Sequence, residues 1–180
     1  MTPYQKHKQK WGKCRRCLLS RRRKSVVLCR GRIPAPILFI GEAPGSSEDV
    51  LGKPFVGPAG KLLDYVLNLA LDGQWDYCIT NLVACYPKIE KERGINEPPK
   101  EAIQKCAPRL QEVVEMCKPK LIVCLGSLST KYAKMSIECS VYVKWLDLIH
   151  PAAILRMDVS QKGLAIQRSI VALEDAVTSL

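Results

Sequence analysis

Four short apolar runs, separated by helical patterns, limit what this chain of 180 residues can fold into. Runs of this length are typical of strands that are buried on both faces. Their alternation with helices predicts a parallel sheet that carries crossover helices on both faces. We therefore expect an α/β protein, a three-layer α/β/α arrangement around a four-stranded parallel sheet. The four runs are ILFI (37–40), CITNLV (78–83), LIVCLG (121–126) and VKWLDLI (143–149).

Helical patterns occupy the segments between and after these runs. The second of them follows Pro98 and Pro99, a helix-start signal, and contains Pro108, which predicts a kink or break. With no repeat and no domain boundary, the chain is expected to form one domain, 1–180. The four predicted helices are GKLLDYVLNLAL (60–71), KEAIQKCAPRLQEVVEMC (100–117), SLSTKYAKM (127–135) and a long one from about Val159 to the C-terminus.

The charge of the chain is concentrated at one end. The net charge is +11, and residues 1–33, here called the basic arm, contain twelve Lys or Arg and no Asp or Glu. A concentrated basic segment indicates binding to a phosphate backbone, although a solvated tail would look the same. No apolar run has transmembrane length, so we expect a cytoplasmic protein with no membrane partner.

Polar or ionisable residues follow three of the four predicted strands. Glu42 lies just past the first predicted strand, and His150 follows the fourth. Asn81 lies near the end of the second. Ligands of parallel sheets bind outside the carboxyl ends of the strands, so these residues predict a single active site. A nucleotide phosphate loop is not indicated, because Pro58 stands where GxxxxGK[ST] needs lysine and GxGxxG is absent.

Nine cysteines in such a chain favour metal or cluster ligation over disulfides. Cys14 and Cys17 form a CxxC pair, which supplies half of a four-ligand site. Four thiolates suit either tetrahedral zinc or an iron–sulfur cluster, and both remain open at this point.

Three ordered segments resemble the iron–sulfur uracil-DNA glycosylases of family 4. They are GEAPGSSEDVLGKPFVGPAGKLL (41–63), TNLVACYP (80–87) and HPAAILR (150–156). The resemblance implies a monofunctional DNA-repair enzyme, expected to be a monomer near the nucleoid. It would flip uracil out of DNA, hydrolyse the N-glycosidic bond and leave an abasic site.

The resemblance also implies roles for individual residues. Glu42 would orient water or support a cationic sugar, and His150 would stabilise charge on the departing base. Phe55 would stack on the base, unless it only covers the sheet edge. The amide of Asn81 has a donor and an acceptor that match O4 and N3–H of uracil and mismatch cytosine, although an Asn is also ordinary at a strand end. The other implied base-pocket residues are Gly41 and Ala43, through their backbone, and Glu48, beside C5 of the base.

The last matched segment and the basic arm are expected to contact DNA. In HPAAILR, Ile154 and Leu155 would wedge into the duplex and Arg156 would hold a phosphate, unless the segment is simply a helix start. Arg15 and Arg16 would lie near the DNA. By resemblance, the ligands of a [4Fe–4S] cluster are Cys14, Cys17, Cys85 and Cys106, with Cys29 as the substitute if one of them is misassigned.

Three alternatives remain at this stage. The segment YPKIEKERGINEPP (86–99) could accommodate another deaminated or 5-substituted base on the same fold. A non-catalytic iron–sulfur DNA-binding module would share the basic arm and the cysteines. An enzyme that acts on free dUMP-like nucleotides would leave the basic arm unexplained.

Overall fold

The computed structural model describes residues 1–88 and 97–180. The centre of the fold is a five-stranded sheet with the strand order β1-β3-β2-β4-β5. The four apolar runs are confirmed as parallel strands, and the short β1 adds an antiparallel edge beside β3 that was not predicted. The strands are β1 (Arg30–Gly31), β2 (Ile37–Gly41), β3 (Tyr77–Asn81), β4 (Leu121–Leu125) and β5 (Lys144–Leu148).

The strand register places the polar strand exits at one edge of the sheet. Gly41 at the end of β2 pairs with Asn81 at the end of β3, and Leu125 at the end of β4 pairs with Leu148 in β5. Because all four strands run in the same direction, the residues that follow them emerge side by side.

All four predicted helices are present, and the described residues add three further α-helices, of nine, six and five residues. The predicted break at Pro108 is wrong, because α4 continues through it, held by buried residues on both sides such as Ile103 and Leu110. The helices are α1 (Pro3–Trp11), α2 (Ser46–Leu51), α3 (Pro58–Leu71), α4 (Lys100–Cys117), α5 (Ser127–Ser136), α6 (Pro151–Leu155) and α7 (Val159–Thr178).

Two apolar clusters cover the two faces of the sheet and give the predicted three layers. Along β2, Leu38 and Ile40 pack with α4 and α5, whereas Ile37 and Phe39 pack with α3 and α7. This alternation is what a central strand with two buried faces requires. The strand β5 differs from its prediction, because it lies at the sheet edge and its side chains are exposed or half-buried.

The basic arm is folded against the domain. Thr2 and Gln5 form a capping box at the start of α1, with N–H to side-chain oxygen distances of 3.2 and 2.7 Å. At the other end, Trp11 Nε1 donates to Glu112 Oε2 on α4 at 2.7 Å, and His7 Nδ1 lies 3.0 Å from the same oxygen. Burial lowers the pKa of His7. The side chain of His7 helps to hold α1 against α4. None of the described helices could cross a membrane.

Candidate active site

A cleft of about 1270 Å³ opens at the carboxyl edge of the sheet. Its lining comes from the exits of β2, β3, β4 and β5, and from the segment that leads into α3. The structure therefore brings the three predicted strand tips together. The predicted site residues that line the cleft are Glu42, Ala43, Glu48, Phe55, Asn81, His150 and Arg156.

Gly41 lets two of these side chains approach the backbone of β2. A Cβ atom at this position would overlap Oδ1 of Asn81 and lie 2.6 Å from Cζ of Phe55. Heavy atoms in proteins do not approach so closely, so only glycine fits without displacing the amide and the ring. Gly41 thus leaves the space that the side chains of Asn81 and Phe55 occupy beside the cleft.

Gly126 does the same for the other half of the cleft. It follows β4 with φ of 94°, and a Cβ atom there would lie 2.8 Å from Glu42 Oε1 and 3.0 Å from His150 Cβ. Glu42 and His150 therefore converge on one point across the end of β4. The sequence analysis did not identify Gly126 as a site residue. It ends the third apolar run, the one for which no polar site residue was predicted, and a glycine at that strand end was the available signal.

Asn81 presents an unpaired acceptor to the cleft. The residue is only 1% exposed, and its Oδ1 has no hydrogen-bond partner within the described part of the chain. Leaving such an atom unpaired costs about 1–3 kcal/mol. A buried amide of this kind is suited to a ligand that brings its own N–H.

His150 is held as a neutral imidazole. It is the N-cap of α6, and its Nδ1 accepts the backbone N–H of Ala152 at 3.1 Å. Burial, together with the charge of Arg156, lowers the pKa of His150 to about 4. At neutral pH the ring proton therefore resides on Nε2, which is free to donate. The ring centroid lies 5.9 Å from that of Phe55, with 31° between the ring planes.

Phe55 joins the core to the cleft in a strained backbone conformation. Its φ of 54° lies in the left-handed region, its side chain is 6% exposed, and it packs with the α3 and α7 cluster while lining the cleft. A Cβ atom at Gly60 would overlap the carbonyl oxygen of Phe55, so the turn lies directly on α3.

The carboxylate of Glu48 is engaged with the backbone of its own motif. It accepts the N–H groups of Gly45, Val56 and Gly57 at 3.0, 2.8 and 2.8 Å. These contacts connect the start of α2 to the start of α3 and fix the turn that carries Phe55. Glu48, which was predicted to lie beside the base, therefore stabilises the loop between α2 and α3 through its carboxylate.

Asp49 joins the same motif to the basic arm. Its Oδ1 accepts the backbone N–H groups of Lys24 and Ser25 at 2.9 and 3.1 Å. The arm is thereby fixed beside the loop that lines the cleft.

The surroundings of Glu42 raise the pKa of its carboxyl above the ordinary value. Burial raises the pKa of its carboxyl, the charge of Glu97 raises it further, and Arg156 opposes both. Arg156 ends α6 and lines the cleft, so its guanidinium charge acts on both Glu42 and His150.

The two predicted wedge residues differ in exposure. Ile154 is 2% exposed and packs inside the protein, whereas Leu155 is 37% exposed and is the member of the pair that faces solvent. Successive residues of a helix point about 100° apart, and the sequence alone did not reveal which of the two faces solvent.

The four predicted ligand cysteines line one small apolar pocket, here called the cysteine pocket. It lies between α1, the loop after β3, and α4. Arg23 Nη1 approaches Cys85 Sγ at 3.5 Å, and burial raises the pKa of that thiol to about 11. Among the described residues, no group of three or more His, Cys, Asp or Glu side chains is arranged to hold a metal ion. The four members are Cys14, Cys17, Cys85 and Cys106.

Other predicted positions lie beside the cysteine pocket. Cys29 lies beside Cys78, which lowers the pKa of the Cys29 thiol, and it does not line the pocket. Arg15 and Arg16 are exposed, and the Arg16 guanidinium lies over the Trp11 ring at 5.3 Å. The segment named for an altered base preference, 86–99, falls largely outside the described residues.

Comparisons with known proteins place these features in context. The model of the uracil DNA glycosylase superfamily matches residues 30–172. The Type-4 uracil-DNA glycosylase of Saccharolobus solfataricus is 44% identical over 121 residues, 67% of this chain and 54% of that protein. That of Archaeoglobus fulgidus is 34% identical over 160 residues, 79% and 78% of the two chains.

The chain spans little more than half the length of the Saccharolobus solfataricus protein and of a similar one from Sulfurisphaera tokodaii, 54% and 58%. The crystal structure of wild-type Pedobacter heparinus SMUG2 shares the fold with a TM-score of 0.60. It is 15% identical, and the match covers 81% of this chain and 77% of that one.

Proposed function

The chain belongs to the uracil DNA glycosylase superfamily and, within it, to the type-4 uracil-DNA glycosylases, and on this premise we propose that it excises uracil from DNA. The reaction hydrolyses the N-glycosidic bond, releases uracil and leaves an abasic site. The observation that supports the proposal most is the convergence of Glu42, Asn81 and His150 around Gly41 and Gly126.

Recognition begins when the nucleotide leaves the base stack and enters the cleft. The Phe55 ring offers the base an aromatic surface. The unpaired Oδ1 of Asn81 accepts N3–H of uracil while the amide NH₂ donates to O4. Cytosine presents the opposite pattern at these two atoms and would leave buried groups unpaired, which costs about 1–3 kcal/mol each.

Departure of the base places negative charge on the pyrimidine. The neutral His150 ring has its proton on Nε2 and donates it as a hydrogen bond to O2 of the leaving base. A donor that is already oriented towards charge developing in the transition state stabilises that charge without reorganisation.

The sugar becomes electron-deficient as the base leaves. Glu42, near His150, supports the oxocarbenium-like sugar and orients the water that attacks C1′. The water forms the new C–O bond, its proton is released, and the electrons of the broken C–N bond leave with uracil. The backbone N–H groups of Gly41 and Ala43 face the base or its neighbouring phosphate.

A monofunctional mechanism fits the amines near the cleft. In the part of the chain that the structure describes, the lysine that lines the cleft is Lys131, and its Nζ lies over the Tyr132 ring at 5.5 Å. Lys53 and Lys61 of the first motif are exposed and do not line the cleft. Since no lysine of the matched segments, all of which the structure describes, lines the cleft, we propose that water is the nucleophile rather than an amine that would form a Schiff base.

The DNA backbone is held around the cleft. Arg156 binds a phosphate next to the flipped nucleotide, Leu155 fills the space that the base vacates, and the basic arm with Arg15 and Arg16 contacts phosphates further along. Such contacts make affinity fall steeply with salt. In the cell the protein would act as a monomer on nucleoid DNA in the cytoplasm.

We propose that the cysteine pocket is the site of a [4Fe–4S] cluster. Four thiols line one apolar pocket that has an arginine side chain against one of the sulfurs, a donor set suited to an anionic iron–sulfur centre. The ligands would be Cys14, Cys17, Cys85 and Cys106. When bound, the cluster would crosslink the basic arm to the exit of β3 and to α4.

The test compares Asn81→Ala with Asn68→Ala, an exposed asparagine on α3 that serves as the matched control. Duplexes containing uracil, hypoxanthine, xanthine or 5-hydroxymethyluracil, and free dUMP, are incubated with each protein. We expect abasic product from uracil DNA, a 100- to 1,000-fold loss in Asn81→Ala, roughly the cost of one lost transition-state contact, and no loss in the control.

The alternatives give different results in the same assay. Product from only a non-uracil base would change the substrate assignment. DNA binding without any abasic product would indicate the binding module, and turnover of dUMP alone would indicate a nucleotide-processing enzyme.

A further inference from the structure

Arg109 is a buried cation in an unusual place. It lies in the middle of α4, is 1% exposed, and lines the cysteine pocket from the side of the sheet. Burying a guanidinium is unfavourable unless its charge is compensated and its N–H groups are bonded. No carboxylate from residues 1–88 and 97–180 forms an ion pair with it.

The two terminal nitrogens of Arg109 bond to the end of β3, whereas its buried Nε has no partner among the described residues. Nη1 donates to Thr80 Oγ1 at 2.9 Å, and Nη2 donates to the carbonyl oxygens of Leu82, at 3.0 Å, and of Asn81. Thr80 in turn donates its hydroxyl to the carbonyl of Leu28 at 2.8 Å. The side chain therefore binds β3 just past its pairing with β1.

These carbonyls need such a donor. Beyond Asn81 the backbone N–H groups of Leu82 and Val83 still bond to Gly41 and Glu42 of the neighbouring chain segment, at 2.9 and 3.2 Å. On the opposite side, β1 pairs with β3 only at Cys78 and Ile79. Arg109 donates to two carbonyls that lie just beyond this short β1–β3 pairing.

We propose that Arg109 is a positioning residue that couples the cysteine pocket to base recognition. This inference rests on the proposed function, because the charge that compensates the buried guanidinium is that of the cluster thiolates. One side of the residue faces the cysteines, and the other fixes the backbone from which the Asn81 amide extends into the cleft. Loss of the cluster then loosens the residue that reads the base.

Two substitutions separate the charge of Arg109 from its hydrogen bonds. Arg109→Met keeps much of the side-chain volume and removes both, whereas Arg109→Lys keeps the charge but has a single ammonium for three acceptors. Arg168→Met, at an exposed arginine on α7, is the matched control. Iron content, the rate of visible bleaching by a chelator, the cluster reduction potential and single-turnover excision are measured for each.

We expect Arg109→Met to bleach at least about tenfold faster than wild type, to have a more negative reduction potential, and to lose about 10- to 100-fold in the excision rate of its loaded fraction. Arg109→Lys should keep a potential close to that of wild type yet lose excision. Arg168→Met should match wild type throughout. Wild-type bleaching, potential and excision in loaded Arg109→Met would overturn the inference.

A measurement on the unaltered chain covers the case in which Arg109→Met does not fold. Hydrogen exchange of peptides spanning residues 78–85 is compared before and after cluster removal, and we expect faster exchange after removal. Unchanged exchange, or a wild-type chain that holds no iron, would contradict the coupling. A chain that shows the coupling but leaves uracil DNA intact would instead refute the proposed function alone.

Discussion

The cleft and the cysteine pocket meet at the segment that follows β3, yet they are built in different ways. The cleft takes its residues from the ends of parallel strands, so sheet topology alone brings Glu42, Asn81 and His150 together. The cysteine pocket depends on the docking of α1 through Glu112, a contact between residues about a hundred positions apart. The difference shows that a site on strand ends follows from the fold, whereas a site on an arm depends on specific tertiary contacts.

The largest expected effect tests the cleft. His150→Asn keeps a side-chain acceptor for the N-cap of α6 but removes the imidazole N–H aimed at the base. We expect a 100- to 1,000-fold lower single-turnover rate on uracil DNA, with near-normal binding to the same DNA. A loss below about tenfold would mean that His150 only caps the helix.

A smaller effect is expected from the cysteine pocket. Cys17→Ala should abolish the visible absorbance and the bound iron and should speed up tryptic cleavage within the basic arm. Excision should fall about tenfold, because the cluster would support the residues of the cleft only indirectly. Cys139→Ala, at a half-buried cysteine outside the pocket, is the control and should keep its iron. Stoichiometric zinc in place of iron in the wild type would identify the alternative metal, and full iron in Cys17→Ala would remove Cys17 from the ligand set.

The last expected effect concerns the pH dependence of stability and not the rate of excision. Because the folded-state pKa of His150 is lowered to about 4, the unfolded chain takes up a proton that the native state does not as pH falls from about 6.5 to 4. Native stability due to this residue is therefore lost over that window, with a slope of at most about 1.4 kcal/mol per pH unit.

Chemical denaturation of wild type and His150→Asn at a series of pH values isolates this slope, because other titrating groups such as His7 and Glu42 are common to both proteins. The difference between the two unfolding free energies should rise with pH up to about 6.5 and stay constant above it. Parallel curves would show that His150 is not buried as a neutral ring.

Sequence reasoning succeeded where periodicity and topology decide the outcome. The parallel strands, the long helices and the shared edge of the strand exits were all predictable, since buried runs and crossovers leave few arrangements. The α1 helix was missed although Thr2, Pro3 and Gln5 form a helix-start pattern in MTPYQ, because its polar sequence gave no apolar face to follow.

Other features depend on packing that no local pattern encodes. The continuity of α4 through Pro108 comes from buried neighbours that outweigh the lost hydrogen bond. The exposure of β5 follows from its edge position, and the opposite exposures of Ile154 and Leu155 follow from how α6 is rotated on the domain. Arg109 was overlooked because a basic residue within a helix is ordinarily taken to be solvated.

The left-handed backbone of Phe55 sets two demands on one position against each other. An L-residue in that conformation costs about 1–2 kcal/mol relative to glycine, yet glycine would remove a ring that is buried in the α3 and α7 cluster, where truncation of a phenylalanine costs about 3–5 kcal/mol. The core therefore keeps the ring against the preference of the backbone, and the proposed stacking on a base needs the same ring. A smaller side chain at this position would weaken the fold and the proposed grip on the substrate together.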